Sequence, residues 1–405
     1  MKLERATQIV LTLLLAGLAA WLGASKSFYE GAIMSAFFAL ALASVLIIHF
    51  RVCPSWQDSL LVMGLSCLIA VIDFRFLHFK PWLMDWLAFP GLSSLVILGL
   101  RTIWSNNSKR KKLLMAFLPS LLFVSSEYFA STFLEWTSSA HPKVLDLYLF
   151  SFDSALHVQF PFLLGQIFSG QPMLRFISVI FYIGLPIPIA LVYAGRLLRI
   201  GKKAIPSFVA FLATGPIGVI FYNLFPALGP AHLFRNGFPW HPLTFEQSSK
   251  LFLEPVAIAG PPNAIPSLHM GWVLLVWWYS RGLSWWERCI AFAFLFFTVL
   301  ATMGTGEHYC IDLVVAFPFA LLVEAICTFS LSVMERTRLI SILLGAFGTF
   351  AWLMLLRHAT KLFWISPIVP WLACIFTVSL SLICEQQLYT RANAVIPCGV
   401  DEVRT

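Results

Sequence analysis

The sequence predicts an all-α, polytopic membrane protein of about 12 transmembrane helices. Three observations predict it. Of 405 residues, 59% are hydrophobic and only 11% charged, against about 25% charged in a soluble domain. The apolar residues gather in runs of about 20, the length that crosses roughly 30 Å of hydrocarbon. Lys and Arg collect in alternate loops, as they do on the cytoplasmic side of membrane proteins. Too little polar surface remains to coat a soluble fold, which excludes a soluble enzyme, a disordered scaffold and a nucleic-acid-binding domain. The net charge of +8 reflects the same membrane bias and implies no nucleic-acid partner.

The runs are, in order, 6–24, 31–50, 58–78, 82–104, 113–136, 173–197, 206–226, 266–281, 288–304, 308–332, 338–358 and 366–386. The gaps between them hold Gly, Pro, Asn and charges, which mark turns. The first run is read as a span; a cleaved signal peptide is the alternative, against which stands the lack of a convincing A-x-A site. Residues 144–170 are apolar enough to span. Were they to do so, the cluster Arg196, Arg199, Lys202 and Lys203 would face outward, so this segment is expected to lie along the outer interface or to re-enter. With Met1 inside, 18 of the 27 Lys and Arg fall on cytoplasmic loops and termini. Both termini are therefore expected in the cytoplasm. The tail after Glu385 is expected to be frayed. The eight cysteines show no CxxC and no paired spacing, so neither a disulfide framework nor a zinc site is read.

Two stretches carry chemistry. One is Asn263-Ala264-Ile265-Pro266-Ser267-Leu268-His269, at the start of the eighth run. The other is Glu307-His308-Tyr309-Cys310-Ile311-Asp312, at the start of the tenth. Both helices are expected to begin at the outer face, and one hairpin brings both imidazoles to the same depth. Pro266 is tolerated in a first helical turn. Free N–H groups around Ser267 and Leu268, with the helix dipole, are expected to favour an anion. His308 and Asp312 are four apart and share a helix face. The carboxylate can accept the Nδ1 proton of His308, leaving Nε2 free to attack. A second histidine, His269, over the anion completes a phosphoryl-transfer arrangement: one imidazole attacks phosphorus, the other protonates the leaving oxygen.

Pro266-Ser267-Leu268-His269 followed by His308-Tyr309-x-x-Asp312 resembles the second and third signature motifs of the type 2 phosphatidic acid phosphatase superfamily. The resemblance implies a six-helix phosphatase/phosphotransferase core over 113–332, flanked by a four-helix membrane extension (1–112) and a C-terminal extension of two helices and a tail (333–405). It implies that His269 is the general acid, His308 the nucleophile that becomes phosphorylated, and Asp312 its orienting partner. No metal-ligand cluster or nucleotide loop is present, so no cofactor is implied.

The departures from the pattern bear on substrate. The superfamily's first motif is K-x6-R-P, and the matching positions here are Tyr222, Gly229 and Pro230. Its third motif opens with S-R, here Ala301 and Thr302. All three cationic phosphate ligands are absent, which looks like the branch containing inositol phosphorylceramide synthase. Tyr222, Asn263, Ser267 and first-turn amides are the remaining candidate donors. In the loop 227–265, His232, Arg235, His241 and Lys250 could fold back over the site, Arg235 the best placed after the Gly229-Pro230 turn. The expected partners are the bilayer and a phospholipid or other lipid-phosphate substrate, with a lipid hydroxyl as acceptor. The active site is expected on the outer (periplasmic or lumenal) side. A lipid phosphate or polyprenyl diphosphate phosphatase is the alternative within the class. A transporter or inactive scaffold is the alternative outside it, disfavoured by the lack of an internal repeat.

Overall fold

A computed structural model describes residues 36–73, 75 and 85–395. The first apolar run, the start of the second, residues 74 and 76–84 with the end of the run 58–78 and the start of the run 82–104, and the last ten residues lie outside the described residues, and with them Lys2, Arg5, Cys398 and Arg404. The regular structure of the described chain is helical: α1 (Ala36–Val52), α2 (Trp56–Ile72), α3 (Asp85–Trp104), α4 (Asn107–Ala140), α5 (Asp146–Ala155), α6 (Phe160–Gly170), α7 (Pro172–Ile183), α8 (Pro186–Ile200), α9 (Ile205–Leu224), α10 (Pro230–Phe234), α11 (Phe245–Ser249), α12 (Leu268–Tyr279), α13 (Trp285–Gly304), α14 (Cys310–Cys327), α15 (Arg336–His358) and α16 (Ile368–Val395). The only ladder pairing among the described residues is one bridge between Val144 and Val256.

Among the described residues, six stretches are long and apolar enough to cross a membrane: Trp86–Trp104, Pro186–Leu224, Trp285–Gly304, Cys310–Cys327, Arg336–His358 and Ile368–Ala394. They support an integral membrane protein, but not the twelve crossings expected. The run 173–197 is broken at Gly184-Leu185-Pro186-Ile187-Pro188 into α7, of 12 residues, and α8, of 15, where two prolines spaced by one residue remove two N–H donors next to a glycine. The run 266–281 yields α12, of only 12 residues, because Pro266 and Ser267 are drawn into contacts described below. α1 and α2 have 17 residues each. Segment 144–170 forms α5 and α6, of 10 and 11 residues, each too short to span at 1.5 Å per residue. The C-terminal chain does not fray at Glu385; α16 continues to Val395.

The chain divides into two compact units. One comprises Thr132 and the described residues before it, Ile183–Phe208 and Ser280–Ile290. Buried ionisable groups here are paired, as an apolar setting demands. His49 Nδ1 lies 2.6 Å from Ser94 Oγ. Arg101 grips one Asp58 oxygen through Nε and Nη2 at 3.0 and 2.6 Å. Arg51 and Arg199 share the Glu287 carboxylate at 2.8 and 3.8 Å. The last turns of α1 and α8 and the first turn of α13, which carry Arg51, Arg199 and Glu287, thus meet within this unit.

The second unit comprises Phe133–Tyr182, Val209–Tyr279 and the described residues from Ala291 onward. At its centre is α14, apolar on all faces and buried nearly throughout, as a helix without a polar stripe must be. Both of its ends are satisfied from elsewhere in the sequence. At the N-terminus, Asp153 accepts the N–H groups of Cys310 and Ile311 at 2.6 and 3.1 Å. At the C-terminus, the buried Arg338 guanidinium donates to the carbonyls of Ala325, Leu331 and Ile326. Hydrogen-bond acceptors at the start and a cation at the end meet the N–H and carbonyl groups that a helix leaves without partners.

Candidate active site

The second and third motifs meet where α12 and α14 begin. His308 Nδ1 lies 2.8 Å from the carbonyl oxygen of Ala264 and 3.5 Å from Asp312 Oδ2. A carbonyl only accepts, so Nδ1 carries the proton. The lone pair is therefore on Nε2, which faces Ser267 Oγ at 3.2 Å. This refines the expected arrangement: the first acceptor of the Nδ1 proton is the backbone of the residue after Asn263, and Asp312 stands behind it. Asp312 Oδ2 also takes the Tyr309 N–H at 2.7 Å, and the carboxylate is fully buried. The backbone N–H of His308 donates to the Thr302 carbonyl at 3.1 Å.

The expected anion cradle at the start of α12 is partly occupied by the protein itself. The Ser267 N–H donates to the Asp312 carbonyl at 3.2 Å, and the Leu268 N–H is directed at the Tyr222 hydroxyl. Tyr222 is thus at the site, buried, with its hydroxyl beside the first turn of α12. His269 follows on that turn. Its ring stacks on Tyr182 at 3.9 Å between centroids and meets Trp272 edge-on, within electrostatic reach of His308. The Asn263 side chain is half-buried and makes no hydrogen bond among the described residues, so it is available to a ligand.

The loop cations do not close over the site. Arg235 is exposed and its guanidinium has no partner among the described residues, against the expectation that it would fold back. Lys250 pairs with Glu246 at 2.6 Å, both exposed. His232 alone approaches the third motif, with Nε2 at 3.9 Å from Glu307 Oε2.

Two of the positions where the superfamily pattern has a cation have other duties here. Gly229 adopts φ +118°, and a Cβ there would overlap the carbonyl group of Glu307. Its N–H donates to Asp146 Oδ1 at 2.7 Å, so the first-motif loop lies backbone to backbone against the third. Thr302 is fully buried and its hydroxyl bonds to the carbonyls of Thr298 and Val299 in its own helix. The partners found for Ser267, His308 and Asp312 among the described residues include no Lys or Arg.

Two buried aspartates that touch the motif loops escaped the sequence reading. Asp146 accepts from the N–H groups of Leu228 and Gly229 and from the Tyr309 hydroxyl, at 3.0, 2.7 and 3.2 Å. Asp153 caps α14 as described. Both are buried. Burial pushes the Asp153 carboxyl up to about 8, against the pull of the Cys310 and Ile311 N–H groups. It pushes Asp146 up to about 7, against those of Gly229 and Leu228. The signal was present: two aspartates seven apart in an apolar segment share a helix face.

Residues 147–326 match the family model of the PAP2 superfamily. The match takes in His269, His308 and Asp312, and it likens this segment to a group whose members are usually phosphatases or phosphotransferases. No curated protein and no solved structure matches the chain.

Proposed function

We propose that the protein is a metal-independent lipid phosphotransferase, acting at the outer leaflet through a phosphohistidine on His308 and most like the inositol phosphorylceramide synthase branch. The observation that carries this reading is the tautomer of His308, with Nδ1–H held by Ala264 and Nε2 open beside Ser267. In the first step Nε2 attacks phosphorus, the bond to the leaving oxygen breaks, and His269 gives that oxygen a proton. In the second, an acceptor hydroxyl attacks phosphorus, passes its proton to His269, and the P–N bond breaks. Asp312 and the Ala264 carbonyl stabilise the cationic ring between the two steps. Tyr222, Ser267 and Asn263 supply neutral donors to the phosphate. Hydrolysis differs only in that water replaces the acceptor.

The charge of the pocket supports a diester donor. Charge-assisted hydrogen bonds are roughly twice as strong as neutral ones, and a pocket of neutral donors is poorly matched to a dianionic monoester. A phosphodiester carries one charge. The test compares turnover of a phosphodiester lipid, phosphatidic acid and a polyprenyl diphosphate in one detergent, with and without hydroxyl acceptors. Faster turnover of the diester, raised by an acceptor, is expected. Much faster phosphate release from the monoester or the diphosphate would replace this reading with a lipid phosphatase.

A further inference from the structure

α5 is ten residues long and has two working sides. Asp146 and Asp153 lie on the side that meets the first and third motifs, through the bonds to Leu228, Gly229, Tyr309, Cys310 and Ile311. The other side is held by α15, α16 and the 3-10 turn that joins them, Thr360–Trp364. Trp364 Nε1 donates to Ser151 Oγ and Trp371 Nε1 to the Leu156 carbonyl, each at 3.1 Å. Phe152 is fully buried with its ring edge-on to Phe363 and Trp352, at 4.7 and 5.4 Å between centroids. These tryptophans and Phe363 lie beyond the 147–326 segment that the superfamily pattern covers.

We propose that Asp153 is a positioning residue for His308, and that α15 and α16 belong to the catalytic unit because they hold the helix that carries Asp153. The proposal rests on the reading of His308 as nucleophile. The first N–H groups of a helix have no partner within it, and His308 stands two residues before the first residue of α14. Asp153 anchors two of those N–H groups, and thereby the backbone on which His308 is mounted. A displacement of about 1 Å at a reacting group costs on the order of 10²-fold in rate. Asp312 Oδ2 lies 3.5 Å from Nδ1 of the ring that becomes cationic when phosphorylated. A role for the C-terminal helices follows directly: without the indole N–H donors and the Phe152 contacts, α5 loses the support on its far side.

The test uses the purified full chain in detergent with bis(p-nitrophenyl) phosphate as the diester probe, reading kcat and KM separately. Asp153→Asn is expected to lower kcat about 10- to 100-fold with KM within about twofold. Asp153→Asn combined with Asp312→Asn is expected to lose much less than the product of the two single effects, since both act on one imidazole. Cys310→Pro provides a second route should Asp153→Asn misfold. It removes one N–H that Asp153 binds, proline suits a first helical position, and Tyr309 at φ −81°, ψ 162° already has the conformation that precedes proline. It is expected to show the same loss of kcat. The double change Trp364→Phe with Trp371→Phe leaves an aromatic ring at each position but removes both donors, and is expected to lower kcat roughly 3- to 10-fold, with KM again within about twofold. Wild-type kcat in Asp153→Asn or Cys310→Pro, fully multiplicative effects of Asp153 and Asp312, or wild-type kcat in the tryptophan pair would overturn the proposal. Turnover retained by His308→Ala would instead overturn the nucleophile reading beneath it.

Discussion

Gly229 occupies the position where the superfamily's first motif has arginine, and the structure makes Gly229→Ala a sharp test of why. The residue has φ +118° and ψ 162°, a region open essentially to glycine alone, and a side chain held there costs about 1–3 kcal/mol. An added Cβ would lie 2.6 Å from the Glu307 carbonyl carbon and 2.8 Å from the Gly306 oxygen. Backbone atoms cannot swing aside as a side-chain tip can, so one loop must move, at a further cost of about 1–3 kcal/mol for overpacking. The sum is about 4 kcal/mol, or roughly 10 °C in Tm for a unit of this size. The displaced residue, Glu307, immediately precedes His308, so kcat is expected to fall by on the order of 10²-fold in the fraction that remains folded. Gly229→Arg, which restores the motif, is expected to be worse still. The assay is a thermal melt in detergent beside turnover normalised to folded protein. A Gly229→Ala protein with wild-type Tm and kcat would refute the close approach of the two motif loops.

Three further predictions follow from the same geometry. His308→Ala should abolish turnover, whereas Asp312→Asn should reduce it about 10²-fold, since Ala264 still holds the Nδ1 proton; equal losses would show that the carbonyl contributes nothing. The folded-state carboxyls of Asp153 and Asp146 lie at about 8 and about 7, above the unfolded value near about 4, so the folded state binds the extra protons. Their stabilisation is complete below about pH 4 and is lost as pH rises through 7–8; Tm should be lower at pH 9 than at pH 6, with a smaller difference in Asp153→Asn, and an equal fall in both proteins would contradict this. A cysteine placed in 227–265 should react with an impermeant thiol reagent in intact cells, and reaction only after membrane rupture would reverse the proposed orientation.

The residues that the sequence reading brought together by motif are the ones whose chemistry is carried by side chains. Ser267, His308 and Asp312 converge because the helical hairpin between them returns the chain to its starting level, and apolar run lengths report hairpins well. What stayed hidden is carried by backbone or by remote segments. The Ala264 carbonyl has no signature in a side chain. Asp146 and Asp153 sit in a stretch whose apolar character reads as interface, and their partners are N–H groups more than 80 residues away. The reading of 173–197 as one uninterrupted span fails for a related reason. Hydropathy sees the run 173–197 as continuous, whereas the backbone is interrupted at Gly184–Pro188 by the loss of N–H donors. Arg235 shows the limit of proximity in sequence: it follows the Gly229-Pro230 turn closely, yet a short helix and a positive φ carry it to the surface.

The most direct test of the account is to trap the intermediate. Purified protein is mixed briefly with a phosphodiester lipid labelled at its phosphorus, which moves to the enzyme as the other ester oxygen departs as an alcohol, quenched in alkali, in which phosphohistidine survives, and the labelled peptide is located by mass spectrometry. The account predicts modification of the peptide containing His308, on the imidazole, absent from His308→Ala and discharged on adding a hydroxyl acceptor. Label on His269, on Ser267 or on no residue while turnover proceeds would contradict it.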